Sequence, residues 1–241
     1  TKKQTYLCPK MKNENEILKI GNPQISISVG QSKIAKNYSI RISNNNGVVK
    51  LTIPRNGTYQ KALKFARSRE KWIREKLSNQ LPEIIPGYGS ILLYQGKRLI
   101  IRQSEIKKIY QHEDEIFIPG PLEKINGKIK GYLKVKARDH LDFSSKKYSN
   151  LLGKSYKRIT IRDTHSRWGS CTSDGNLMYS WRLIMAPPEV LDYVAAHEVA
   201  HLSHLNHSEE FWDTVEFLMP DFKNYKDWLK NNGQLLHRYR F

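Results

Sequence analysis

Cysteine is scarce: Cys8 and Cys171 are the only two in 241 residues. They lie far apart and outside any C-x-x-C spacing, which excludes a disulfide scaffold and a cysteine-built zinc module and fits a reducing compartment. No apolar run approaches the roughly 20 residues that span a bilayer. The opening Thr1-Lys2-Lys3-Gln4 lacks the apolar core of a secretion signal. A soluble, cytoplasmic protein without a membrane partner is expected. The G-x-x-x-x-G-K-[ST] loop is missing, which argues against the usual triphosphatase machinery, and no repeat of helix-turn-helix or propeller length is visible. Acidic residues are also few, 23 against 41 Lys and Arg, for a formal charge of +18. That balance is either a solvated basic surface or the footprint of a polyanionic partner, nucleic acid or nucleotide. With 39% apolar residues the chain can still bury a core, as one large or two small domains.

What the chain does have is histidine in one place. Four of its eight histidines fall within His197-Glu198-Val199-Ala200-His201-Leu202-Ser203-His204-Leu205-Asn206-His207. On an α-helix, residues four apart stand one above the other, so the imidazoles of His197 and His201 reach a single ion. A catalytic zinc takes three protein ligands and keeps a fourth position for water. His204 continues the same face but lies roughly 10 Å along a straight helix from His197. His207 arrives if the helix ends and the chain doubles back, and Asn206 tolerates the left-handed turn this needs. His197, His201 and His207 are therefore the expected ligands, with His204 beside the site or at the surface. Ser208 is placed to cap a new helix, with Glu209 and Glu210 in its first turn. Glu198 adjoins the first ligand but points aside, as a general base for a metal-activated water must. Val190, Val194 and Leu205 share the histidine face and turn it toward the core.

These residues belong to a longer pattern. Arg167-Trp168-Gly169-Ser170-Cys171, Asp174-Gly175, Trp181-Arg182-Leu183-Ile184, Pro187, Tyr193-Val194, His197 to Leu202, Asn206-His207-Ser208, Phe211-Trp212 and Pro220-Asp221 closely resemble the YgjP-like family of zinc metallopeptidases. The resemblance covers most of the chain and is dense from Arg158 onward. The H-x-x-E-F segment from His207 to Phe211 is more loosely similar to SprT-like proteases, which degrade DNA-crosslinked proteins. That similarity also implies His207 as third ligand. Ser180 departs from the pattern, at a position where the family is expected to favour Asn. The resemblance implies a zincin-like catalytic domain, zinc as cofactor and a peptide or protein substrate. Family members have also been associated with hydrolysis of nucleoside triphosphates, so it implies a second activity as well.

The rest of the chain reads as α+β. Residues 8–21 are polar and uninformative. Residues 25–29, 38–42 and 49–53 alternate apolar and polar, and Asn44-Asn45-Asn46-Gly47 joins the last two, so a β-meander with a hairpin is expected. Thr58 opens one amphipathic helix that buries Ala62, Phe65, Ala66, Trp72, Ile73 and Leu77. Its other side carries Lys61, Lys64, Arg67, Lys71 and Arg74, a solvated face or one that meets phosphates. A connector at 81–89 leads to strands at 91–94, 98–101 and 115–118, the first two turning at Gln95-Gly96-Lys97. Pro119-Gly120-Pro121 is the expected boundary between an N-terminal β-rich basic module, 1–120, and a minimal zincin-like metallopeptidase domain, 121–241. Ile125, Ile129, Leu133, Ala137 and Leu141 step by four along a long helix with Lys128, Lys130, Lys134, Lys136 and Arg138 on its flank. Residues 157–162 and 176–181 read as strands around a 167–175 loop, and 176–181 is the expected edge strand for substrate to pair with. Two apolar stripes, Phe211 to Met219 and Phe222 to Leu229, precede an expected helix stop at Gly233 and a mobile basic tail, 237–241.

The chemistry this points to is zinc-dependent hydrolysis of a peptide bond, with Glu198 taking a proton from water and passing it to the leaving group. Arg167, Tyr179 and Trp181 are the expected substrate contacts, and Arg167, Tyr179 and Tyr193 the candidates to stabilise an oxyanion. His165 is a lone loop histidine, a residue that usually neither supports a site nor binds substrate, and Cys171 is expected to pack rather than ligate. The same site could instead hydrolyse a phosphoanhydride such as that of UTP. A nucleic-acid-binding protein without catalysis accounts for the charge but leaves Glu198 without a role.

Overall fold

The computed structural model describes residues 16–43, 47–78 and 82–241. Cys8, the asparagines of the expected hairpin turn and the start of the 81–89 connector lie outside them. The chain divides into two compact units, Thr1–Leu81 and Pro82–Phe241.

In the first unit the alternating segments form strands β1 (Glu16–Ile20), β2 (Ile25–Ser32), β3 (Ser39–Ile42) and β4 (Val49–Pro54). Their order is β1-β2-β4-β3, with β2 and β4 parallel and both outer pairs antiparallel, so the sheet is not the expected meander. The register sets Ile27 beside Val49 and Val29 beside Leu51, all buried, which aligns two apolar faces under one helical layer. Strand β1 escaped the sequence reading because Ile17 is 62% exposed and only Leu18 and Ile20 point inward. The helix expected after Thr58 is two: α1 (Tyr59–Ser68) and α2 (Glu70–Ser78), broken at Arg69. Thr58 Oγ1 caps α1 by accepting from Lys61 N at 3.3 Å. Ala62, Ala66 and Ile73 seal the sheet. Trp72, expected inside, is 38% exposed, since it stands about 100° around the helix from the buried face marked by Ala62, Ala66 and Ile73.

The second unit begins with β5 (Ile91–Tyr94), β6 (Lys97–Ser104), β7 (Tyr110–His112) and β8 (Glu115–Pro119). Their order is β5-β6-β8-β7, again with a parallel central pair. The connectivity of the first sheet thus recurs without a sequence repeat, since inward alternation asks only for aliphatic residues. Gln95 and Gly96, at φ of 49° and 75°, make the tight turn between β5 and β6.

Helix α3 (Leu122–Leu152) follows and ends at left-handed Gly153. Its four-step stripe packs in one core with Leu99, Ile101, Ile116 and Ile118 of the sheet. That shared core places the boundary at 81/82 instead of at Pro119-Gly120-Pro121.

Strands β9 (Arg158–Arg162), β10 (Gly169–Cys171) and β11 (Asn176–Ser180) form a three-stranded sheet of order β10-β11-β9. The segment expected at the edge, β11, is central, and the edge beside it is β10, three residues inside what read as a loop. A 3₁₀ turn, Trp181–Met185, leads into α4 (Pro188–Ala200), α5 (Glu209–Leu218) and α6 (Phe222–Leu236). Helix α6 runs through Gly233, where the missing Cβ admits Trp168: a Cβ there would lie 2.9 Å from Cζ2. The tail is packed, not loose. Tyr239 is buried, its hydroxyl donates to Ile91 O at 3.1 Å, and the buried Arg182 donates to Leu236 O and Tyr239 O. The fold is α+β, and no helix among the described residues is long and apolar enough to cross a membrane.

Candidate metal centre

Helix α4 is buried along most of its length, which brings His197 and Glu198 to the core side of the second unit. The helix ends at Ala200, and His201 takes the capping position in helical conformation. Leu202 N then bonds Val199 O at 2.9 Å and Ser203 N bonds Ala200 O at 3.0 Å, i→i−3 bonds that tighten the last turn. The chain reverses over 201–208 without a left-handed Asn206; among the described residues only Gln95, Glu113 and glycines have positive φ. Several residues share the bend, so no single one must adopt the αL conformation. Ser208 does stand at the N-cap of α5, though its side chain makes no capping bond.

The reversal carries His207 back over α4. One nitrogen each from His197, His201 and His207 lies within 4.8 Å of the others. The Nε2 atoms of His197 and His207 are 3.1 Å apart. Two nitrogens on a tetrahedral zinc, each about 2.0–2.1 Å from it, stand about 3.3 Å apart. His201 Nδ1 donates to His204 O at 2.9 Å, which leaves Nε2 as the free donor atom. His204 thus serves through its carbonyl, beside the three converging histidines and not among them. Phe211 packs against all three rings, 4.4 Å from that of His201, 4.8 Å from His207 and 5.0 Å from His197.

Burial, followed by the neighbouring histidines and Lys226, pushes His197 down to about 3. Burial also lowers His201. Neutral imidazoles at pH 7 are what a divalent cation needs. Glu198, 5% exposed, is pushed up to about 8 by burial, with Arg167 acting in the opposite direction. A carboxyl this buried beside three convergent imidazole nitrogens is a donor set that fits zinc, whose charge would draw the group back toward ionisation.

Edge strand β10 lies directly on this carboxyl. A Cβ on Gly169 would come within 2.5 Å of Glu198 Oε1, so only glycine lets the strand pass there. Two residues on, the Cys171 thiol is raised to about 11 by burial and by Glu198, and its Sγ donates to Thr172 O at 3.4 Å. It packs as a neutral thiol outside the three-histidine group. Exposed Arg167 lies within electrostatic reach of Glu198. A cavity of about 330 Å³ opens beside His201, bounded by Thr172, Asp174, Leu202 and Leu205.

Tyr179 and Trp181, expected to touch substrate, do not reach the surface: both are 0% exposed. Tyr179 sits on the central strand, where its hydroxyl is 3.0 Å from Ser145 Oγ of α3, and Trp181 meets the Phe241 ring edge-on at 5.3 Å. Ser180, the departure from the family pattern, leaves a buried Oγ without a hydrogen-bond partner. Tyr193 is buried with its ring edge-on to His197 at 5.9 Å, its hydroxyl pushed up to about 12 by burial. His165 lies 5.1 Å from the ring of His237, which stacks on Trp168 at 4.8 Å.

Sequence reasoning missed this brace behind β10, in which α6 and the tail clamp Trp168. It also missed Lys226, whose Nζ lies 3.9 Å over the Trp212 ring beside the ligands. Only the Trp168-Gly169 pair hinted at the first, and nothing in the spacing hinted at the second.

A family model described as YgjP-like, metallopeptidase domain, matches residues 36–232. Among solved structures, the metallopeptidase zymogen abylysin of Pyrococcus abyssi is similar at 23% identity and a TM-score of 0.35, over 41% of this chain and 95% of that one. No curated protein matches the chain.

Proposed function

The chain belongs to the YgjP-like family of metallopeptidases, and on that premise we propose that it is a zinc-dependent endopeptidase with Glu198 as its general base. The observation that carries this reading is the convergence of three imidazoles beside one buried carboxyl. Zinc, when bound, supplies a Lewis acid that polarises a carbonyl and acidifies water toward neutral pH.

His197, His201 and His207 hold the ion. Glu198 accepts the proton of the attacking water on a carboxylate oxygen and returns it to the amide nitrogen as the bond breaks. The free edge of β10 takes an extended peptide by strand addition, and Gly169 lets that strand run close to the carboxylate. Arg167, on the same side, is the cation placed to meet charge that develops on the carbonyl oxygen.

The test is the zinc-loaded protein incubated with casein and, separately, with UTP, beside Glu198→Gln. Casein cleavage that disappears in the variant is the expected result. UTP hydrolysis with intact casein, or a variant as active as the parent, would overturn the reading.

A further inference from the structure

The positive charge is not spread evenly. Residues 16–78 hold thirteen Lys and Arg against three Glu, and the only ion pair among these described residues joins Arg74 to Glu70. The other cations repel one another without local compensation, a cost to folding that an anionic partner removes.

Four of them surround one groove. The β2–β3 connection supplies Lys33 and Lys36, the β4–α1 connection Arg55, and the first turn of α1 Lys61, around a cavity of about 460 Å³ with no carboxylate in its lining. All four side chains are exposed.

The walls are held in place. Gln31 Nε2 donates to Arg55 O at 3.1 Å, and Ser32 Oγ accepts from Ala35 N at 3.1 Å. Tyr38 Oη accepts from Thr58 N at 2.7 Å and donates to Thr58 O at 3.2 Å. Gly57 permits this closeness, since a Cβ there would lie 2.7 Å from that hydroxyl. Tyr38 lines the groove, and Ile34, 91% exposed, stands at its rim.

The sheet connectivity alone does not produce such a groove. In the second sheet, which has the same strand order, the connection after β8 is the uncharged Gly120-Pro121, and the one after β6 sets Glu105 near Lys107 and Lys108.

We propose that this groove seats the backbone of single-stranded nucleic acid. The four cations meet successive phosphates, and Tyr38 and Ile34 offer apolar surface to sugars and bases. A concave, preformed slot suits one strand better than a bilayer, which is flat, or a duplex, which is convex. The proposal does not depend on the peptidase reading.

The test is fluorescence anisotropy of a labelled 20-residue oligothymidylate titrated with the full chain. Four phosphate contacts predict a log–log salt slope near −3, or roughly a 50-fold loss of affinity between 50 and 200 mM salt. Lys33→Glu, Lys36→Glu and Arg55→Glu together should weaken binding at least tenfold. Lys124→Glu, Lys134→Glu and Arg138→Glu on α3, an equal change of charge, should alter it less than twofold. Circular dichroism checks folding, and Gln replacements at the same positions serve if the Glu variant does not fold. No binding at 50 mM salt, equal losses in both triple variants, tighter binding of a duplex of equal length, or binding to phosphatidylglycerol vesicles in place of the oligonucleotide would each overturn the proposal.

Discussion

Gly169 and Glu198 claim the same space: a Cβ built on Gly169 would stand 2.5 Å from Oε1 and 2.6 Å from Cγ of Glu198. The edge strand and the metal helix meet at this point, so the position of the carboxyl depends on a residue with no side chain. Gly169→Ala should therefore push Glu198 aside while the three histidines stay in place. A displacement of about 1 Å costs on the order of 100-fold in turnover. Peptide kinetics alongside zinc content by mass spectrometry will check this, and a variant that keeps zinc and full activity contradicts it.

His207 and His204 should separate cleanly when each is replaced by Ala. His207 offers a ring nitrogen 3.1 Å from that of His197, whereas His204 offers only its carbonyl to His201. His207→Ala should lose more than the roughly 100-fold in zinc affinity that removing an outer partner can cost. His204→Ala keeps the carbonyl and should stay within a few-fold. Competition with a chromophoric chelator measures both, and equal affinities would discredit His207 as a ligand.

Stability should fall in mild acid because of His237. Burial, then Arg182 and His165, lower it from 6.5 to about 4, and Asp163 opposes them. The unfolded chain takes up this proton below 6.5 and the folded one resists until about 4. The contribution is therefore intact above pH 6.5 and is lost as pH drops from 6.5 toward 4. At pH 5 the loss is about 1–2 kcal/mol after solvent screening. Urea unfolding of the parent and of His237→Gln at pH 7 and pH 5 tests this. The variant should start lower, having lost the stack on Trp168, but change less between the two pH values.

Arg182 ties the loop before β10 to the tail. Its Nε donates to Asp163 Oδ1 at 2.7 Å, and its Nη1 reaches Leu236 O at 2.9 Å and Tyr239 O at 3.1 Å. Lysine keeps the charge but has no planar fork to make these bonds at once. Arg182→Lys should cost about 2–4 kcal/mol of unfolding free energy. A loss under 0.5 kcal/mol would show that the tail is held mainly by Tyr239.

Local spacing made much of the site legible in advance. Four-residue separation on a helix is enough to pair His197 with His201 and to set Glu198 aside from them. His207 was readable because six residues leave room for a reversal, although the bend uses no αL residue at Asn206. The stripe of α3 was equally plain, since five apolar residues spaced four apart have no other reading.

Non-local pairing decided the remainder. Which strand is the edge depends on how 169–171 pair with 177–179, and three residues carry too little alternation to announce a strand. Tyr179 and Trp181 are apolar enough for a core or an interface, and only the central strand β11 and the 3₁₀ turn that follows it settle their burial. The sequence by itself determined the histidine spacing and the helical phase of His197 and His201, because those follow from covalent geometry over a few residues. Only the tertiary structure decided what lies against Glu198 and where the uncompensated charge collects, because both depend on contacts between segments far apart in the chain.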